Sequence, residues 1–238
     1  MVASDERYIN LPDTGKGGFS NRLDRVAGAQ KQSGRWIVYI ASDVGLAEAA
    51  KLLEEAGDDE LFGMLLGIPS CCREAYSLFQ PLAKAKQYDL VPFVLGNTPG
   101  TMPYDPWLNY AARYFGSTLL SFFPCSFRCP AAGAVARSTF DMLAECDRAW
   151  ARSFLDLQHT NILYTEHQGL HLFRSHFMDG SIEYGREDLD STELTDVSAL
   201  IGRGDRLQVR AKHQVAIYRG AVRVGVLEGE DVCMCVFW

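Results

Sequence analysis

The chain has 238 residues, with 23 Lys+Arg against 30 Asp+Glu, a net charge of −7, and 47% hydrophobic residues. That size and apolar share are ample for a packed core, in one large domain or a main domain with a smaller one beside it; the acidic balance leaves no basic face for nucleic acid or an anionic membrane. No stretch approaches the roughly 20 continuous apolar residues of a membrane helix, and the leading Met-Val-Ala-Ser-Asp-Glu-Arg has no apolar signal region, so a cytoplasmic protein without membrane or nucleic-acid partners is expected.

Residues 1–34 are rich in Gly, Ser, Asn, Asp and Lys and read as a flexible leading segment. Within it, Thr14-Gly15-Lys16-Gly17-Gly18 lacks the spacing and the preceding apolar strand of a phosphate loop, and reads as a flexible loop. Trp36–Ile40 is a short aromatic and β-branched strand. A helix follows from about Val44 to Ala56, capped by Ser42 or Asp43, stopped by Gly57, with Leu46, Ala49, Leu52 and Leu53 on one face. Asp58 or Asp59 caps a second helix carrying Leu61, Phe62, Leu65 and Leu66, which ends at Gly67-Ile68-Pro69. A third starts with Ser70 in the N-cap position and runs to Pro81.

Residues 84–106 form a proline-rich connection in which Val91–Leu95 reads as a strand. Two helices are expected next, over about 106–120 and, starting at Pro130, over about 130–157. After residue 158 the apolar period changes from 3.6 to 2. Asn161–Thr165, Leu170–His176, Ser181–Tyr184, Arg206–Arg210, Gln214–Tyr218, Ala221–Leu227 and Val232–Phe237 read as short strands separated by glycine turns. The expected fold is α+β: a mainly helical body over residues 35–158 with one or two strands, then a small antiparallel β module over 159–238.

The cysteines carry the strongest chemical signal. There are seven, an odd number without a secretion signal, which argues against a disulfide framework. Cys71-Cys72 stands at a helix start, where free N–H groups and the positive end of the helix dipole stabilise thiolates. Cys125-Ser126-Phe127-Arg128-Cys129-Pro130 matches the closing part of a ferredoxin-type run. It also matches the opening of the CxxxCxxC run of radical-SAM enzymes, but Ala132 replaces the third cysteine. Four thiolates from Cys71, Cys72, Cys125 and Cys129 satisfy either a [4Fe–4S] cluster or a zinc site. A vicinal pair suits separate irons of a cluster better than the usual zinc knuckle. Cys233 and Cys235 share one face of an apolar strand and read as core packing, as does Cys146. The histidines 159, 167, 171 and 176 read as scattered rather than as a metal site.

The expected function is therefore iron–sulfur-cluster binding, in an enzyme doing redox or sulfur chemistry on a small molecule and supplied by an electron-donor protein. Arg73, Asn109 and Arg128 are its candidate catalytic residues, with Glu74, Arg113 and Ser126 near them in sequence; the plain alternative for each is a surface ion pair or a helix cap. Two other classes stay open: a zinc-stabilised, non-enzymatic binding module and a thiol-based redox sensor.

Leu66-Gly67-Ile68-Pro69-Ser70-Cys71-Cys72, then Leu108-Asn109, then Phe123-Pro124-Cys125-Ser126-Phe127-Arg128-Cys129, resembles a little-characterised prokaryotic family with the signature LGxPxCCxxxF…N…HxPCSxxCxxS. The resemblance covers about residues 35–150. It implies that the paired cysteines act together and implies no particular reaction. The chain departs from the signature at Phe123, where the family has His, and at Ala132 or Gly133, near the family's Ser.

Overall fold

A computed structural model of the chain describes residues 1–11, 15–17, 23–26, 34–86, 88–116 and 118–237. It combines helices with antiparallel sheets, the α+β architecture read from the sequence. Two compact units are formed, Met1–Pro12 with Phe19–Asp89, and Asp13–Gly18 with Leu90–Trp238. The helical segment 130–158 thus shares a unit with the C-terminal strands.

The first unit opens with a strand, β1 (Val2–Asn10), where the sequence suggested a flexible leader. It pairs antiparallel with β2 (Leu23–Arg25) on one side and β3 (Arg35–Tyr39) on the other. Helix α1 (Val44–Ala56) has the expected stops: Asp43 accepts from the Gly45 and Leu46 amides, and Gly57 takes the left-handed conformation at φ 71°, which glycine adopts without a Cβ clash. Its buried stripe is Ala47 and Ala50, against Tyr39, Ile37 and Val2, whereas Leu46 and Leu52 are exposed. The apolar face that periodicity marks with Leu46 and Leu52 is thus not the buried one; the small alanines instead let the helix lie close on the strands. Helices α2 (Asp59–Leu65) and α3 (Ser70–Ala83) follow, separated by a corner at Gly67-Ile68-Pro69.

In the second unit three sequence expectations are revised. Val91–Leu95 is not a strand but lies within helix α4 (Val91–Gly96). An apolar run buried on several sides has no period to tell a strand from a helix, and Pro92 fits the first helical turn. The helix expected over 106–120 is two 3-10 segments, Pro106–Leu108 and Tyr110–Phe115, separated by Asn109. The long helix from Pro130 is two helices, α5 (Pro130–Cys146) and α6 (Arg148–Gln158). Asp147 is the break: its extended backbone closes α5, and its carboxylate accepts from the Trp150 amide to cap α6. Asp147→Ala should therefore destabilise the protein by about 1 kcal/mol, the usual worth of such a cap. A shift in the urea-unfolding midpoint would show it, and an unchanged midpoint would reject the capping role.

The period-2 region forms two antiparallel sheets. One has the order β12-β4-β5-β8, from Val232–Cys235, Asn161–Thr165, Gly169–Phe173 and Leu189–Ser191. The other has the order β11-β10-β9-β7-β6, from Val222–Glu228, Gln214–Arg219, Arg206–Ala211, Ser181–Glu183 and Phe177–Met178. Leu163, Phe173, Val232 and Met234 of the first meet Ile182, Leu207, Val215 and Ile217 of the second in one core. A short helix not anticipated from sequence, α7 (Asp196–Ile201), closes it with Ile201; Thr195 and Ser198 form its capping box. Every residue of β4 and β5 is buried, because the second face of this sheet is also covered. Tyr104 pairs with Phe237 there and packs its ring on Phe127 and Phe237, at 5.9 and 6.3 Å.

Candidate metal centre

The first cysteine pair stands on the first turn of α3. Pro69, not Ser70, is the N-cap residue, and its carbonyl accepts from the Cys72 and Arg73 amides. Cys71 and Cys72 thus lie at the positive end of the helix dipole, with no acidic residue in that turn to oppose a thiolate. Their Sγ atoms are 3.9 Å apart. Cys72 is 2% exposed, and Cys71 is the more exposed of the two. Arg73 braces the preceding corner: Nε donates to Glu60 at 2.9 Å and Nη1 to the Ile68 carbonyl. A Cβ on Gly63 would come within 2.9 Å of its stem.

The second pair flanks a tight loop. The Cys129 amide donates to the Ser126 carbonyl and the Arg128 amide to Ser126 Oγ. Cys129 is itself the N-cap of α5, its Sγ accepting from the Ala132 amide at 3.4 Å, with Pro130 at the first helical position. This second helix N-terminus also lacks acidic residues, so Cys129, like the first pair, sits where a negative sulfur is favoured. Cys129 is 3% exposed.

The Sγ atoms of Cys71, Cys72, Cys125 and Cys129 all lie within 4.8 Å of one another, a set able to hold a metal ion. Among the described residues no other group of three or more His, Cys, Asp or Glu side chains is so placed. Cys233 and Cys235 are fully buried on β12, in keeping with a packing role, whereas Cys146, expected to pack as well, is exposed at the end of α5.

Arg128 Nη2 donates to the carbonyls of Thr101 and Pro103, at 2.6 and 3.0 Å. Asn109 is fully buried and its Nδ2 donates to the carbonyls of Gln158 and Thr160. Both apply these donors to the protein's own backbone, as Arg73 does with Nη1. Two residues that sequence reasoning did not single out, Asn97 and Thr98, hydrogen-bond the cysteine loop itself. They stand 28 and 29 positions from their partners, so no local motif marks them.

The histidines do not assemble a site among the described residues. His171 is buried on β5, its Nδ1 2.8 Å from Ser191 Oγ. Burial pushes its pKa down from 6.5 to about 4, partly opposed by the Gln168 backbone. Because the folded value lies below the unfolded one, the stabilisation is complete above about pH 6.5 and is lost as pH falls toward 4. The loss should be on the order of 3 kcal/mol. His171→Gln should flatten that part of the stability–pH curve, and an unchanged slope would reject the assignment. The Gly15–Gly17 segment is held by ordinary tertiary contacts: Thr192 Oγ1 donates to the Gly15 carbonyl, and the Gly17 amide donates to the Glu193 carboxylate, an acceptor that would repel a phosphate. Thr14 and Gly18 lie outside the described residues.

No helix among the described residues is long and apolar enough to cross a membrane. No family model, curated protein or solved structure matches the chain.

Proposed function

We propose that the chain is a zinc protein in which Cys71, Cys72, Cys125 and Cys129 close a four-thiolate shell around one ion, and that the ion stabilises the fold rather than carrying a reaction. The observation that carries this reading is the mutual spacing of the sulfurs. Zinc–thiolate bonds of about 2.3 Å in a tetrahedron put the sulfurs about 3.8 Å apart. The Cys71–Cys72 separation is 3.9 Å and no pair exceeds 4.8 Å. In a [4Fe–4S] cluster each cysteine binds a different corner iron, which makes the sulfur tetrahedron larger than one drawn around a single ion.

The two helix N-termini support the same reading, since they offset the net negative charge of a metal bound by four thiolates. So does the resemblance to the paired-cysteine family, which implies that the four act together. A shell of four protein ligands is closed, as in structural zinc sites, whereas catalytic zinc keeps a position for water or substrate. When bound, the ion supplies a cross-link between residues 71–72 and 125–129. Arg73 and Arg128, each next to a ligand in the chain, then serve as braces of the backbone beside it, and Asn109 braces the end of α6.

The deciding experiment is metal and acid-labile sulfide analysis of protein purified without oxygen. One zinc and no sulfide per chain is the expected result. About four irons with four sulfides would overturn it in favour of the cluster enzyme, with its small-molecule substrate and electron donor. Absence of any metal would overturn it in favour of a thiol-based sensor or packed cysteines.

A further inference from the structure

We propose that Thr98, assisted by Asn97, is the positioning residue that presets the Cys125–Cys129 loop for its metal; this rests on the metal reading above. Thr98 is 2% exposed and follows the end of α4. Its hydroxyl donates to the Val94 carbonyl at 2.7 Å and accepts from the Phe127 amide at 2.8 Å. Phe127 is the middle residue of the Cys-x-x-x-Cys loop, so this one hydroxyl ties the loop's centre to the helix. One position earlier, Asn97 Nδ2 donates to the carbonyl of Cys125 at 2.7 Å, which holds the residue bearing the first sulfur.

The platform is itself anchored. Lys212 Nζ, from the turn between β9 and β10, donates to the carbonyls of Thr98 and Leu95, at 2.7 and 3.2 Å. The Phe127 ring packs against Phe237 at 5.1 Å, edge to face. The loop backbone is thus fixed from α4 and from the C-terminal sheet before any metal arrives. Metal–sulfur bonds tolerate little displacement, and hydrogen bonds that orient ligands typically govern metal affinity by 10- to 100-fold.

The test compares Thr98→Val, which keeps the shape and removes both hydrogen bonds, with Thr98→Ser, which keeps the hydroxyl. Zinc affinity of the full chain is measured by chelator competition, alongside thermal unfolding of the metal-free protein. Thr98→Val should bind zinc about 10- to 100-fold more weakly, with Thr98→Ser restoring wild-type affinity. If Thr98→Val lowers the metal-free melting temperature yet binds zinc as tightly as wild type, its role is structural only and the inference fails while the metal reading stands. If the wild type itself binds no metal, both fail. Should Thr98→Val not fold, Asn97→Ala at its exposed position removes the contact to Cys125; unaltered zinc affinity in that variant would equally overturn the proposal.

Discussion

Cys129→Ser is expected to abolish stoichiometric zinc while leaving helix α5 properly started. The two roles of this residue separate in that substitution. Its sulfur is one of the four clustered cysteine sulfurs, and it also accepts from the Ala132 amide as the helix N-cap. Serine is among the best N-cap residues, so the cap survives, whereas an alcohol is a poor zinc ligand where thiolates set the affinity. Structural zinc in small Cys-rich sites contributes about 10–16 kcal/mol of binding free energy at neutral pH. Spread over four ligands, the loss is about 3 kcal/mol or more for each, a weakening beyond 100-fold. Metal analysis after dialysis against a weak chelator reads this directly. Cys146→Ser, at the exposed end of α5, should retain one zinc. A Cys129→Ser protein that still carries one zinc would exclude the four-thiolate shell.

Phe173→Ala should cause a large loss of stability. Phe173 is fully buried in the core between the two C-terminal sheets and meets the Tyr184 ring edge to face at 5.0 Å. Its strand is buried on both faces, so the surroundings have little room to collapse into the space left behind. Truncation of such a ring costs about 3–5 kcal/mol, a large part of the 5–15 kcal/mol that holds a typical domain folded. Urea unfolding would show the loss as a lower midpoint. Met178→Ala, at a side chain 67% exposed on β6, should leave the midpoint nearly unchanged. Equal midpoints for the two variants would contradict the assignment of this core.

Signals carried by neighbouring residues were legible in the sequence. Asp43 and Gly57 mark the ends of α1, Pro130 opens α5, and the alternation after residue 158 announces strands. Misreadings arose where local pattern is ambiguous. The run at Val91–Leu95 has no polar face to reveal its period, and the chain from Pro130 to Leu157 keeps a helical composition straight through Asp147. That break becomes visible only when the Asp147 carboxylate is seen capping the Trp150 amide. The buried stripe of α1 is not its most hydrophobic one: leucine outranks alanine in hydrophobicity, while close approach to a strand favours the smaller side chain.

The sequence by itself marked where the candidate site lies: two cysteine pairs, one on the first turn of a helix and one running into the next helix start, in a chain whose second half alternates as strands do. Helix caps, turns and vicinal ligands act over a few residues, and those residues are adjacent in the chain. The tertiary structure alone decided which polar groups serve that site and which serve the backbone. Asn109 reaches carbonyls 49 and 51 positions away, and Thr98 meets Phe127 across 29. The reason is the cost of burial: a backbone or side-chain polar group removed from water must find a partner, and which partner lies within reach is fixed only when distant segments pack together.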